Sequence, residues 1–165
     1  MRVAILALVT LLVQRLLGSP GLPTLWTAVE LPMVWIVWPT MCRHDRRWIP
    51  YAVLLGLMWD VVMNQPVIGP AGIAWSATAV VLHSLASMIA DRSPLAWAIF
   101  GCVGAMLVTL ILQVCLLPLG LATLPTWTHL GQIGLATGAW CGLVGWTLTL
   151  DLPTRWANHR ARRLR

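Results

Sequence analysis

Residues 56–72 read GLMWDVVMNQPVIGPAG, and this stretch decides how the rest of the chain is arranged. It places one acidic residue, Asp60, inside an apolar run. A carboxylate in such surroundings is costly, so Asp60 is a candidate functional residue. Residues that break helices or form turns follow within a few positions: Asn64, Gln65, Pro66, Gly69, Pro70 and Gly72. This cluster predicts that one helix ends, the chain reverses and a second helix begins.

Composition indicates the class of protein. The chain has 165 residues, of which 59% are hydrophobic and only 10% are charged. These values exclude an ordinary soluble domain and predict an all-α membrane protein. No metal motif, Gly-rich phosphate loop or nucleophile elbow is present, so we predict no enzymatic activity, no catalytic residue, no cofactor and no metal site. The cysteines form no CxxC pair and are interpreted as small packing residues: Cys42, Cys102, Cys115 and Cys141.

Six apolar segments are predicted to form a bundle of transmembrane helices, at residues 2–17, 24–41, 48–63, 72–90, 95–117 and 129–150. They make one transmembrane domain, residues 1–150, and residues 151–165 form a basic tail. A straight span needs about 20 residues, and the second and third segments are the shortest. Five spans with one re-entrant segment are therefore the alternative to six. Because Gln14 and Arg15 interrupt the first segment and no cleavage motif follows, we interpret it as an uncleaved helix rather than a signal peptide.

The basic residues predict the orientation. All eleven are arginines, and with a cytoplasmic N-terminus only Arg15 falls on the outer side. The other ten fall on the cytoplasmic side: Arg2, Arg43, Arg46, Arg47, Arg92, Arg155, Arg160, Arg162, Arg163 and Arg165. The positive-inside rule then places both termini in the cytoplasm. The tail is expected to bind anionic lipid at that face, and no nucleic acid.

Tryptophans are expected at both membrane interfaces. The cytoplasmic belt would comprise Trp38, Trp48, Trp97, Trp146 and Trp156. The outer belt would comprise Trp26, Trp75 and Trp127. The deeper tryptophans are interpreted as packing residues: Trp35, Trp59 and Trp140.

In this orientation the outer half of the bundle collects a polar cluster: Arg15, Glu30, Asp60, Asn64, Gln113 and Gln132. Two interpretations stay open. In the structural one, Arg15 pairs with Glu30 or Asp60 and the amides join helices. In the functional one, the cluster lines a pocket open to the outer side, for a ligand or for the helix of a partner. We favour the structural role for Glu30 and Gln132, and the functional role for Asp60 because a broken helix follows it.

Two further patterns lie in the later helices. His83 and Ser84 are neighbours in sequence and therefore point to different faces of a helix, which argues against a hydrolase pair. Three glycines recur every fourth residue in the last segment: Gly134, Gly138 and Gly142. Such a stripe allows another helix to approach closely. It either packs within the bundle, against Gly101 and Gly104, or forms a face for a partner's helix.

The chain resembles the rod-shape-determining protein MreD family of bacteria. The resemblance covers its length, its layout of about six helices with both termini inside, and the stretch quoted first. The family pattern is a Gly, an apolar run, an Asp, a short polar break, then an apolar residue and a Gly. Gly56, Asp60 and Gly69 occupy its fixed positions.

This resemblance implies a fold similar to the substrate-binding subunits of energy-coupling-factor transporters. It implies a non-enzymatic, multi-pass scaffold in the bacterial inner membrane that supports cell shape and lateral peptidoglycan synthesis within the elongasome. The direct partner would be MreC, with RodA, a class B penicillin-binding protein transpeptidase and, indirectly, MreB in the same assembly. The alternatives are a vitamin-binding subunit of an energy-coupling-factor transporter, or a structural membrane protein without a pocket.

The orientation can be tested with a phosphatase that is active only outside the cytoplasm. Fused to Arg165, the phosphatase should be inactive, because the positive-inside rule retains the tail in the cytoplasm. The same reporter inserted at Thr123, between the fifth and sixth segments, should be active. Activity of the C-terminal fusion would overturn the predicted orientation.

Overall fold

The structure is a computed structural model that describes residues 2–17, 28–43, 49–86 and 93–149. Within these ranges all regular structure is helical, which confirms the all-α prediction. The α-helices are α1 (Arg2–Leu17), α2 (Val34–Arg43), α3 (Ile49–Val62), α4 (Pro70–Ala86), α5 (Pro94–Leu116) and α6 (Trp127–Thr149). A 3-10 turn, Leu31–Met33, leads directly into α2, and a second, Leu117–Leu119, follows α5.

The second predicted segment differs most from the structure. It was expected to be helical over residues 24–41, but residues 28–30 are not helical, and the chain becomes helical only at Leu31. Pro32 gives the physical reason, because its ring would clash with the carbonyl group four residues earlier in a continuous helix, so that a proline fits only the first turn of a helix. Residues 18–27, 87–92 and the tail 151–165 lie outside the described residues, and so do the predictions made for them.

Two helical hairpins form the bundle, one of α3 and α4 and the other of α5 and α6. The contact between α4 and α5 joins them. The short helix α2 lies at the centre, in contact with α4, α5 and α6, and every side chain from Val34 to Met41 is buried or half-buried. The first helix, α1, packs against the turn Leu31–Met33 and against α3, and of its described side chains only Leu11 and Gln14 are buried.

The outward faces of the helices are apolar. Large hydrophobic side chains are exposed on α1, α3, α4, α5 and α6, for example Leu16, Val61, Ile73, Ile99 and Leu135. A helix at the surface of a soluble bundle has a polar outer face instead. Among the described residues, the stretch Pro94–Leu119 is long and apolar enough to cross a membrane. The other apolar helical stretches that meet the hydropathy criterion are shorter: Leu6–Leu17, Leu31–Met41, Ile49–Val62 and Pro70–Ala86.

The tryptophan belts are only partly as expected. Trp75 is completely buried, and its ring packs on that of Trp59 with 5.6 Å between centroids. Trp97 is also a core residue, in contact with Gly145. Both were predicted to face the membrane interface, and that prediction is wrong because helix packing covers them. Trp127 is 82% exposed at the start of α6. Trp26, Trp48 and Trp156 lie outside the described residues.

The glycine stripe of α6 lies against α5. A methyl group added at Gly138 would be 2.8 Å from the backbone oxygen of Ala98, and one added at Gly142 would be 3.0 Å from the Ala98 side chain. At Gly134 it would be 2.9 Å from Met106. The glycine stripe of α6 is therefore covered by α5 of the same chain. Of the two glycines expected to face it, Gly101 does so, against Cys141, whereas Gly104 contacts Met33 and Leu82.

This packing gives a matched pair of substitutions on one helix. Gly138→Ala should destabilise the protein by about 1–3 kcal/mol, since the added methyl collides with α5 backbone. Gly131→Ala meets open space and should be neutral or stabilising by up to about 1 kcal/mol, because alanine is the better helix former. Thermal unfolding in detergent measures both variants. Equal stability of the two variants would contradict the observed α5–α6 interface.

Candidate functional site: two buried carboxyl groups

Asp60, in the last turn of α3, is buried with only 1% of its surface exposed. Its Oδ2 atom accepts hydrogen bonds from the backbone N–H groups of Gly69, at 2.7 Å, and Ala71, at 3.2 Å. These two groups lie at the start of α4, where N–H groups have no acceptor within their own helix. A negative charge there is also favoured by the dipole of α4. Asp60 on α3 therefore caps α4.

The eight residues between Asp60 and Gly69, whose N–H donates to it, explain how the chain makes this turn. The N–H of Gln65 donates to the Asp60 carbonyl at 2.9 Å, and that of Asn64 donates to the Val61 carbonyl at 3.2 Å. Asn64 has a φ of 57°, in the left-handed region. This pattern is the Schellman motif, in which Gly or Asn ends a helix. Gly69 then turns the chain into α4 with a φ of 126°, which an L side chain rarely adopts.

Gly56 lies one turn before Asp60 on α3. A methyl group added to it would be 2.5 Å from the backbone oxygen of Ala71. The missing side chain thus lets the backbones of α3 and α4 touch, and this close approach brings Asp60 within reach of the first N–H groups of α4. All three residues, Gly56, Asp60 and Gly69, therefore contribute to the contact between α3 and α4.

Glu30 belongs to a second junction, at the start of the turn Leu31–Met33. Its backbone N–H donates to Thr137 Oγ1 of α6 at 2.9 Å. The next N–H, of Leu31, donates to Gln14 Oε1 of α1 at 2.9 Å, and the Leu31 carbonyl accepts from Trp140 Nε1 at 3.4 Å. Side chains of α1 and α6 therefore satisfy the backbone groups that the break in the second segment leaves without helical partners.

Glu30 is half-buried, and its carboxyl group accepts one hydrogen bond, against two for Asp60. Oε1 accepts one hydrogen bond from Thr109 Oγ1 of α5, at 3.3 Å. Oε2 is buried and has no hydrogen-bond partner among the described residues. Among the described residues, no ion pair joins Arg15 to Glu30 or Asp60, and the Arg15 side chain is exposed. The pairing of Arg15 with one of these acids belonged to one of the two interpretations left open by the sequence, and the described residues do not form it.

The predicted polar cluster is thus only partly assembled. Asn64 and Gln132 are exposed. Gln113 lies on α5 one turn beyond Thr109, and its Oε1 atom is buried without a hydrogen-bond partner among the described residues. Gln113 and Gln65 face an open cavity of about 490 Å³, bordered also by Leu112, Leu116, Gly120, Leu121, Ala122 and Thr123. The bundle therefore has an open depression beside Gln65 and Gln113, and Asp60 and Glu30 do not line it.

Sequence reasoning missed most of the residues that hold Glu30. Gln14, Thr109 and Thr137 are buried, and each is a polar side chain within an apolar helix. An isolated polar residue in an apolar helix can be recognised in the sequence. The sequence does not show, however, to which interrupted backbone segment its side chain forms a hydrogen bond. Ser84, by contrast, donates to the Val80 carbonyl of its own helix at 3.0 Å.

Comparison with protein-family models, curated proteins and solved structures finds no match for this chain. Within the described residues, no group of three His, Cys, Asp or Glu side chains could hold a metal ion. Cys102 and Cys141 are free thiols and contact the glycines of the α5–α6 interface.

Substitution of Asp60 tests its role as a cap. Asp60→Ala should destabilise the protein by about 1–3 kcal/mol, because two buried N–H groups lose their acceptor. Asp60→Asn keeps an acceptor oxygen and loses only the charge, so the loss should be nearer 0.3–1 kcal/mol, roughly the value of a charge at a helix terminus. Chemical denaturation in mild detergent measures both.

Asn64→Gly is the control for these variants, since it keeps the left-handed conformation in the same turn and leaves the Asp60 contacts intact. Its stability should equal that of the unmodified protein. If Asp60→Ala were as stable as Asn64→Gly, Asp60 would not be the cap of α4.

Proposed function

We propose that this chain is a non-enzymatic scaffold subunit of the bacterial elongasome, related to MreD, that binds MreC in the inner membrane. The observation that carries the proposal is the α3–α4 contact. The residues at the fixed positions of the family pattern, Gly56, Asp60 and Gly69, meet there. A pattern of this kind builds a rigid hairpin, as a scaffold requires.

The apolar outward faces of the helices support a membrane location, since they would be stable against lipid and not against water. The arginine distribution supports cytoplasmic termini. The short helix α2 fits the same proposal. At 10 residues it is about 15 Å long, half the thickness of the hydrocarbon core. Non-helical backbone at membrane depth is tolerated where protein surrounds it, and residues 28–30 are held by α1 and α6.

The proposed mechanism is positional. The bundle would hold the membrane helix of MreC and its juxtamembrane segment, and so bias whether MreC engages the transpeptidase. RodA, the class B penicillin-binding protein and, indirectly, MreB would belong to the same assembly. The stripe of Gly134, Gly138 and Gly142 is covered by α5, so the proposed MreC helix binds elsewhere on the bundle.

A vitamin-binding transporter subunit is the second candidate, and the open cavity near Gln65 and Gln113 favours it. Its volume of about 490 Å³ falls within the range typical of small-molecule sites. Against it, the cavity is open, and the two buried carboxyl groups do not line it.

Affinity purification from native membranes distinguishes the candidates. We expect MreC in the eluate of the unmodified chain and of Asn64→Gly, and less MreC with Asp60→Ala, because the scaffold hairpin is weakened. An associated ATPase complex or a bound vitamin in place of MreC would support the transporter subunit. An eluate with none of these would contradict both proposals.

A further inference from the structure

We propose that Glu30 is a proton-binding site, whose neutral carboxyl group, hydrogen-bonded to α5, stabilises the junction at which α1, α2, α5 and α6 meet. This role goes beyond that of a scaffold and does not depend on MreC. It assigns a ligand, the proton, to a side chain that the sequence suggested only for structural pairing.

In both acids one carboxyl oxygen, Asp60 Oδ1 or Glu30 Oε2, is buried without a hydrogen-bond partner among the described residues, but the other oxygen faces different donors. Asp60 Oδ2 receives two backbone N–H groups at the positive end of the α4 dipole, which compensates a negative charge. Glu30 has one contact, a hydroxyl donor at 3.3 Å to Oε1, while Oε2 is buried without a partner among the described residues. Nothing comparable to a helix N-terminus faces Glu30, since the backbone N–H groups of Glu30 and Leu31 donate to Thr137 and Gln14.

No positive charge compensates Glu30 within the described residues. On α6 the titratable neighbour is the thiol of Cys141, which lies within electrostatic reach of Glu30. On α5 the facing group is the Thr109 hydroxyl. On α1 it is the Gln14 amide, and Arg15 beside it is exposed. The only charged residue of α2 is Arg43, at its far end, and residues 18–27, which precede Glu30, include no charged residue.

An ionised carboxylate without a counter-charge in such a place costs several kcal/mol. A proton removes this cost without further ligands. A hard metal cation takes about six oxygen ligands. The junction offers the two Glu30 oxygens and the Thr109 hydroxyl, because Thr137 Oγ1 and the Leu31 carbonyl already accept other hydrogen bonds. The number of free oxygens therefore favours a proton over a metal ion.

Loss of the proton from Glu30 should weaken the attachment of α1 to the bundle. This helix is attached at the same junction, through the bond from Leu31 to Gln14 and a second bond from Trp35 Nε1 to Thr10 Oγ1 at 2.9 Å. A charged Glu30 draws water into the junction and weakens those bonds. Because the folded protein holds a proton that the unfolded chain releases above about pH 4.3, stability is highest at acidic pH and decreases as pH rises through neutral, until Glu30 ionises in the folded protein as well.

The protonation state of Glu30 can be measured directly, because Glu30 is the only glutamate of the chain. In the full-length protein in lipid nanodiscs, glutamate labelled with ¹³C at the side-chain carboxyl carbon gives one carboxyl signal. We expect this signal at the position of a neutral carboxylic acid at pH 7, independent of sodium, with conversion to carboxylate only at alkaline pH. A carboxylate signal at pH 7 overturns the proposal, and a signal that shifts with added sodium identifies a metal-ion site instead.

Glu30→Gln is the matched variant, since the amide imitates the neutral carboxyl in shape. Its thermal unfolding temperature should equal that of the unmodified protein at about pH 4 and should stay constant at higher pH, where that of the unmodified protein decreases. Parallel decreases in both proteins would overturn the proposed link to α1. The ¹³C measurement uses the unmodified chain and so does not depend on folding of the variant. Neither result depends on whether MreC binds.

Discussion

The constraint on which this structure depends is that every backbone hydrogen-bonding group in an apolar bundle needs a partner within the protein. Within the described residues, the helical conformation is interrupted before α2 and between α3 and α4. At each interruption, side chains from other helices satisfy backbone groups that the helix cannot. Asp60 does so for α4, and Gln14, Thr137 and Trp140 do so for the turn that leads into α2. These few polar side chains therefore fix the arrangement of the helices.

The two buried acids show how differently one functional group can be used. The Asp60 side chain accepts hydrogen bonds from helix-terminal N–H groups and so helps to close the α3–α4 hairpin. Glu30 contributes through its backbone, while its carboxyl group meets one hydroxyl and otherwise apolar surroundings. Asp60 therefore stabilises a turn through its hydrogen bonds, whereas the proposed role of Glu30 requires the neutral form of its carboxyl group.

Close packing completes the arrangement. Gly56 lets α3 and α4 touch at their backbones, and the glycines of α6 do the same against α5. The two tight hairpins leave room for the short α2 at the centre and leave α1 attached mainly at one junction. A partner helix in the proposed assembly would therefore meet the apolar outward faces rather than the glycine stripe.

The sequence by itself determined the helical class, the six segments to within a few residues except before α2, and the break after Asp60. Local chemistry governs these features: apolar runs form helices, while Pro, Gly and Asn end them. The sequence did not determine which polar side chains meet. It suggested that Arg15 would pair with an acid, whereas the structure leaves Arg15 exposed and brings Gln14, its neighbour, to the backbone of Leu31. Only the tertiary structure decides this, because neighbouring residues of a helix point about 100° apart, and packing selects the one that faces the bundle.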